Sequence, residues 1–171
     1  MTQDKNKKIA IIKYNLLNLP DKIQFTNGNT ISYLYDASGT KCTVTYITAI
    51  PNITIPMGSY LELGDSKIAA YSTTEYYGNL ILENGQLTKI LNDEGYLELK
   101  GSPNYYFYLK DHQGNNRIVC DQNGTICQVN NYYPFGMTFG EGTDNSNNRY
   151  KYNGKELEHM LMLQLKQNLM P

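Results

Sequence analysis

Asp111 and Asp121 are the only carboxylates between Tyr105 and Gly136. Hydrolysis of the aspartyl-protease kind needs two such groups close enough to share a proton, one protonated while the other activates water. The strand pair around Asn115–Cys120 could bring both to one face only if the sheet curls. Each aspartate also opens a turn, Asp111-His112-Gln113-Gly114 and Asp121-Gln122-Asn123-Gly124, in which the side chain bonds the backbone two residues on. The turn reading is preferred, so no catalytic residue is assigned and the chain reads as a non-enzyme. Arg117 could pair with either carboxylate, but a strand arginine is more often a surface residue. His112 lies beside Asp111 with no nucleophile to activate. His112 and His159 are the only histidines; they are far apart in sequence and lack an acidic or thiol cluster at ligand spacing, so neither a metal nor a cofactor is expected. No Gly-x-Ser-x-Gly elbow and no phosphate-binding glycine loop occurs. Cys42, Cys120 and Cys127 form an odd set. Cys120 and Cys127 could face each other across a hairpin, although free thiols in strands are the preferred reading.

The elements that would position these groups read as β-hairpins. Asn-Gly occurs at Asn27-Gly28, Asn84-Gly85, Asn123-Gly124 and Asn153-Gly154, the dipeptide favoured by type I′ turns, whose two central residues need φ > 0. Strands are predicted at 9–13, 22–26, 30–35, 41–46, 86–91, 96–99, 105–109, 116–120, 125–133 and 150–152, with the pattern also resuming along Tyr76–Glu83. Residues 50–67 break the rhythm: Pro51 and Pro56 bracket Ile53-Thr54-Ile55 as an insert or edge segment. Residues 140–148 read as a flexible loop. Lys155–Leu169 contains no β-branched residue and suits a short amphipathic helix. In the adjacent tyrosine pairs 76–77, 105–106 and 132–133, alternation leaves one ring of each pair wet; such rings could stack on sugars.

Composition narrows the classes. The 171 residues suit one domain. Sixteen tyrosines, four phenylalanines and no tryptophan favour a half-wet pleated surface. With 15 basic and 16 acidic residues and net charge −1, no basic stripe points to nucleic acid; Lys5, Lys7 and Lys8 read as a solvated tail. No apolar run reaches the ~18 residues of a membrane span. Ile9-Ala10-Ile11-Ile12 is too short for a signal peptide, so localisation is left open.

Five ordered motifs give the chain a resemblance to bacterial RHS (YD-repeat) proteins, in particular their repeat-associated core. Tyr33-Leu34-Tyr35-Asp36-Ala37-Ser38-Gly39 resembles the Tyr-x-Tyr-Asp-x-x-Gly repeat. Tyr108-Leu109-Lys110-Asp111-His112-Gln113-Gly114-Asn115-Asn116-Arg117 is similar to the core's Tyr-x-x-Asp-His-x-Gly-x-x-Arg. Asp121-Gln122-Asn123-Gly124, Tyr132-Tyr133-Pro134-Phe135-Gly136 and Tyr150-Lys151-Tyr152-Asn153-Gly154-Lys155-Glu156 follow in the family's order. The resemblance covers residues 14–159, leaving an N-terminal segment 1–13 and a divergent tail 160–171. It implies an all-β fold, consecutive antiparallel hairpins forming a curved strip of a hollow shell, to which the reading of Lys155–Leu169 adds a short C-terminal helix. It also implies a role in enclosing a C-terminal toxin or effector for intercellular competition at or beyond the cell surface, with the remaining shell or the effector as partners.

After His159 the sequence departs from the family's Gly-Leu, Tyr-x-Ala-Arg-Tyr-type and Asp-Pro segments. The expectation is a longer gene truncated by a frameshift or early stop, which translation of all three frames beyond His159 tests. Three rival readings stand beside the shell fragment. One is a carbohydrate-binding or adhesion module. Another is a residual autoprotease. The last is a remnant without function that self-associates through open strand edges.

Overall fold

The computed structural model describes residues 2–139 and 148–156. These fall into two compact units, 2–86 and 87–156. The fold is all-β, built of consecutive antiparallel hairpins.

In the first unit the strands are β1 (Ile9–Tyr14), β2 (Pro20–Phe25), β3 (Thr30–Tyr35), β4 (Lys41–Ala49), β5 (Ile68–Tyr77) and β6 (Leu80–Glu83). Each pairs antiparallel with the one before it. Period-2 alternation puts Ile31 opposite Tyr46 and Tyr33 opposite Val44. Ile31, Val44, Tyr46, Ile23 and Phe25 are buried there, each large apolar side chain stabilising by about 1.5–3 kcal/mol. Residues 50–67 are part of this unit and act as a strap. Ile55 is buried, and its N–H donates to Thr26 O at 2.7 Å. The buried Gln24 side chain clamps Leu61 at both ends, Nε2 donating to its carbonyl at 2.7 Å and Oε1 accepting from its N–H at 2.8 Å. The Lys13 ammonium lies 3.5 Å from the centre of the Tyr60 ring. The strap ends in a 3-10 turn, Asp65–Lys67.

The second unit continues with β7 (Gln86–Asn92), β8 (Gly95–Glu98), β9 (Asn104–Lys110), β10 (Asn116–Asp121) and β11 (Ile126–Val129), again paired in chain order. A separate two-stranded ladder joins β12 (Asn131–Tyr132) to β13 (Thr138–Phe139). Tyr96 is buried, stacked on Tyr106 at 4.7 Å between centroids.

Several sequence expectations are corrected. Of the first three Asn-Gly pairs only Asn84-Gly85 has both residues left-handed, φ 51° and 77°. The commoner turn has one left-handed residue. Residue i donates to the carbonyl of i+4, and the N–H of i+3 returns to the carbonyl of i. This pattern starts at Asn15, Phe25, Asp36, Asp111, Asp121 and Tyr133, and its fourth residue is Asn18, Gly28, Gly39, Gly114, Gly124 or Gly136, with φ 59–88°. It is a type I turn closed by a left-handed residue, the three-residue hairpin loop.

The run Tyr76–Glu83 is split by a turn at Gly78-Asn79, and β5 begins earlier, at Ile68. The run 125–133 breaks at Asn130 between β11 and β12. Instead of a strand over 150–152 there is a single bridge, Tyr150 to Glu156, enclosing a 3-10 turn, Tyr152–Gly154. Lys155 is extended rather than helical. The helix expected farther on, His159 and the tail 160–171 lie outside the described residues, as does most of the loop 140–148.

Candidate functional site

Asp111 and Asp121 occupy equivalent places at the starts of their turns. Asp111 Oδ1 accepts from the N–H groups of Gln113 and Asn115, both at 3.0 Å. Asp121 Oδ1 accepts from Asn123 at 2.9 Å and Thr125 at 2.8 Å. Asp36 does the same with Ser38 and Thr40, and the Asn15 amide with Leu17 and Leu19. The carboxylates are held in their ionised form. The Asn115 amide is the main cause for Asp111, the Thr125 N–H for Asp121 and the Ser38 hydroxyl for Asp36, and all three lie below the usual aspartate value. Asp121 ends β10 opposite Tyr106, whereas Asp111 follows the far end of β9, five residues on, so the two stand about 17 Å apart at ~3.3 Å per residue. This strand pair therefore does not bring the two together to share a proton. His112 is exposed at the turn tip, and Gly114 is its left-handed closing residue, φ 80°.

The residues that do converge lie around β10, in the interior of the second unit. Asn116 is fully buried. Its Nδ2 donates to Tyr150 O at 2.9 Å, and its N–H to Lys151 O at 3.2 Å. Its own carbonyl accepts from Asn130 Nδ2 at 2.9 Å and the Tyr132 hydroxyl at 2.8 Å. Asn148 Oδ1 takes the Tyr108 hydroxyl at 3.2 Å and the Tyr150 N–H at 3.1 Å. Asn148 Nδ2 reaches Tyr150 O and the buried Gln128 Oε1. Arg117 donates to Asn131 Oδ1 at 3.0 Å and lies over the Tyr132 ring. Burial raises the Tyr108 phenol well above its ordinary range and pushes Tyr132 up to about 12, against the opposing effect of Arg117.

The Tyr133-Pro134-Phe135-Gly136 turn is seated on the same cluster. Tyr152 meets Tyr132 edge-on at 5.6 Å, and its hydroxyl donates to Pro134 O at 3.3 Å. Gly136 is left-handed, and a Cβ there would fall 2.7 Å from the Tyr152 ring, so only glycine fits both the turn and its neighbour. Glu156 pairs with Arg149 at 3.7 Å. Gly154 is left-handed. Of Asn153 only its place in the 3-10 turn is described, and Lys155 is exposed.

The motif residues Tyr108, Arg117, Gly136, Tyr152 and Glu156 thus belong to one packed region, with Tyr133 and Pro134 on its exposed rim. Tyr33, Tyr35, Asp36 and Gly39 form a separate hairpin in the first unit, where Tyr35 donates to Pro20 O at 2.9 Å. Sequence reasoning missed Asn116, Gln128, Asn130 and Asn148. For Asn116 and Asn130 a signal was available: asparagine is disfavoured in strands, so one inside a strand pattern marks a side chain with backbone partners to satisfy; Gln128 and Asn148 carried none.

Chemically the cluster is a clamp of neutral donors and acceptors that ties residues 148–156 to β10. Among the described residues no three His, Cys, Asp or Glu side chains gather to hold a metal. All three cysteines are free, and Cys120 faces Ile126 rather than Cys127. No helix among the described residues is long and apolar enough to cross a membrane.

No protein-family model matches the sequence, and no curated protein does. Solved structures do match. A crystal structure of TcdB2-TccC3 covers 90% of this chain with a TM-score of 0.64 at 13% identity, and one of TcdB2-TccC3-TEV covers 90% at 0.61 and 14%. The fold is RHS-like. The Photorhabdus luminescens Tc holotoxin pore with a substituted TccC3 agrees, covering 88% at 0.62 and 15% identity. This chain spans 8% of the length of each of these chains.

Proposed function

We propose that this chain is a stretch of wall from an RHS (YD-repeat) shell of the repeat-associated core type. Its parent would enclose a C-terminal toxin or effector for delivery between cells. The fold likeness to TcdB2-TccC3 over nine-tenths of the chain carries this reading. The packing of the core-type motifs around β10 supports it. The wall role is structural: turns closed by their own side chains set the hairpins, and the amide clamp fixes the segment that returns across β10. The partners are the remaining shell and the effector.

The test is co-expression of the tagged chain with the polypeptides encoded on either side of its gene. The expected product is a stoichiometric high-mass particle whose enclosed polypeptide resists protease until the particle is denatured. Elution of the chain at its own 19.5 kDa, with the neighbouring polypeptide unprotected, would sink the proposal. Asp111→Asn and Asp121→Asn should leave the polypeptide pattern of that particle unchanged. Self-cleavage abolished by either would make the wall catalytic instead.

A further inference from the structure

β1 is the first strand of its sheet, and its sequence is the kind that makes an edge hazardous. Ile9-Ala10-Ile11-Ile12 is apolar, β-prone and uncharged, the composition of a segment that templates pairing with another chain. Its outer edge is already occupied by the chain itself. Ile9 and Asp4 exchange both backbone hydrogen bonds, at 2.8 and 3.1 Å. The Ile12 N–H donates to Thr2 O at 2.8 Å, and Ala10 O accepts from the Gly58 N–H at 2.9 Å. A tight turn makes this possible. The Lys7 N–H is capped by Asp4 Oδ1 at 3.1 Å, the Lys8 N–H returns to Lys5 O at 3.2 Å, and Lys8 takes left-handed backbone at φ 54°. Gln3 reaches the strap, its Nε2 lying 3.0 Å from where a Cβ on Gly58 would sit.

We propose that residues 2–8 are an edge guard, and that β1 beneath them is a strand-docking surface whose occupant, once the guard is lifted, is β1 of a second copy. Antiparallel self-pairing matches Ile9 with Ile12 and Ala10 with Ile11. The same register sets Lys8 against Lys13, and like charges directly opposite oppose pairing. The guard thus blocks self-pairing twice, by filling the outward hydrogen-bonding groups of Ile9 and Ile12, Ala10 O being held by Gly58 of the strap, and by placing Lys8 where it repels Lys13 of the other copy. Apart from the half-buried Asp4 its residues are exposed, so it can peel away without disturbing the core. The inference does not depend on the shell reading.

The experiment measures solution mass by light scattering over a range of concentrations, together with amide exchange. The intact chain should hold one mass. A chain lacking residues 2–8 should associate at a concentration at least tenfold lower, and adding Ile11→Lys to it should reverse this by charging the edge. Asp4→Pro removes the donor to Ile9 O while keeping the lysines. It should speed exchange of the Ile12 amide at least tenfold and raise the mass less than the deletion does. A deletion variant that keeps its strand circular dichroism and its single mass overturns the proposal. Should the deletion fail to fold, Asp4→Pro decides: unchanged mass and unchanged Ile12 exchange overturn it equally.

Discussion

Residues 2–86 hold eleven of the thirteen apolar side chains buried among the described residues, and residues 87–156 hold eight of the eleven buried polar ones. Yet the two regions share their strand pairing and their turns. Asp36 in the first and Asp111 in the second make the same pair of side-chain to backbone bonds. Hairpin geometry is therefore set locally, by turn chemistry, and the interior can be filled in two ways. The first region uses hydrocarbon, as in Phe25, Ile31 and Val44. The second uses amides and phenols, and even buries most of Lys89, whose ammonium lies 3.8 Å from Glu98 and over the Tyr96 ring. Hydrocarbon burial is non-directional and tolerates reshaping. A buried polar network specifies one arrangement and is costly when left half satisfied.

The sharpest way to break this comparison is Phe25→Ala, expected to cost about 3–5 kcal/mol and to be felt in the first region alone. Urea unfolding followed by exchange of amides from each region measures it. A loss shared equally by both would mean that they do not fold as separate units. Next is Asn116→Ala, which strips Tyr150 O of one of its two amide donors, leaving that of Asn148, and should cost about 1–3 kcal/mol. The lower end is expected, because Asn116 Oδ1 has no partner among the described residues and its removal is a relief. Faster exchange at the Tyr150 and Lys151 backbone is the readout, and a neutral effect would reduce the clamp to decoration. Gly136→Ala should cost about 1–2 kcal/mol through its left-handed backbone. Adding Tyr152→Ala should recover only the part due to the ring.

The smallest effects are those of pH, and only the alkaline one separates the regions. Tyr108 and Tyr132 have folded values raised above the ordinary ~10 of a tyrosine. Their contribution is therefore complete below pH ~10 and is lost as pH climbs through the window up to about 12 reached by Tyr132. Phenolate absorbance and unfolding should rise together there in the second region first. Asp36, Asp111 and Asp121 have lowered values. Their contribution is present above ~3.9, the unfolded aspartate value, and disappears as pH falls through the folded ones. Both regions carry such aspartates and should soften alike in acid. Acid loss confined to one region would show that the turns are not equivalent.

Much of the architecture was legible because its causes are local. The Asp-x-x-Gly spacing located the turns, and alternation located most strands. Of the three tyrosine pairs, Tyr77, Tyr105 and Tyr133 are the exposed members. What escaped depends on partners distant in sequence. β5 starts at Ile68 because β4 is there to pair with it, from Thr43 opposite Glu75 to Ala49 opposite Ile68; its exposed alanines and Tyr71 show no alternation of their own. The strap looked like an insertion because nothing in Ile53-Thr54-Ile55 announces that Gln24 holds Leu61. Asn130 ends a strand that composition would continue, since its side chain is needed at Asn116 O. The type I turn was missed at Asn27 because Asn-Gly satisfies both hairpin loops, and only the length of the loop decides between them.

The closed turn has one more consequence, and it concerns time rather than stability. Asn15, Asp36, Asp111 and Asp121 each complete their bonds within five residues, and from β2 to β6 and from β8 to β11 each strand binds the one just made. Contacts so near in sequence close small loops, and proteins rich in them fold fast for their size. Such a chain can set hairpin after hairpin as it leaves the ribosome, with each finished strand the template for the next.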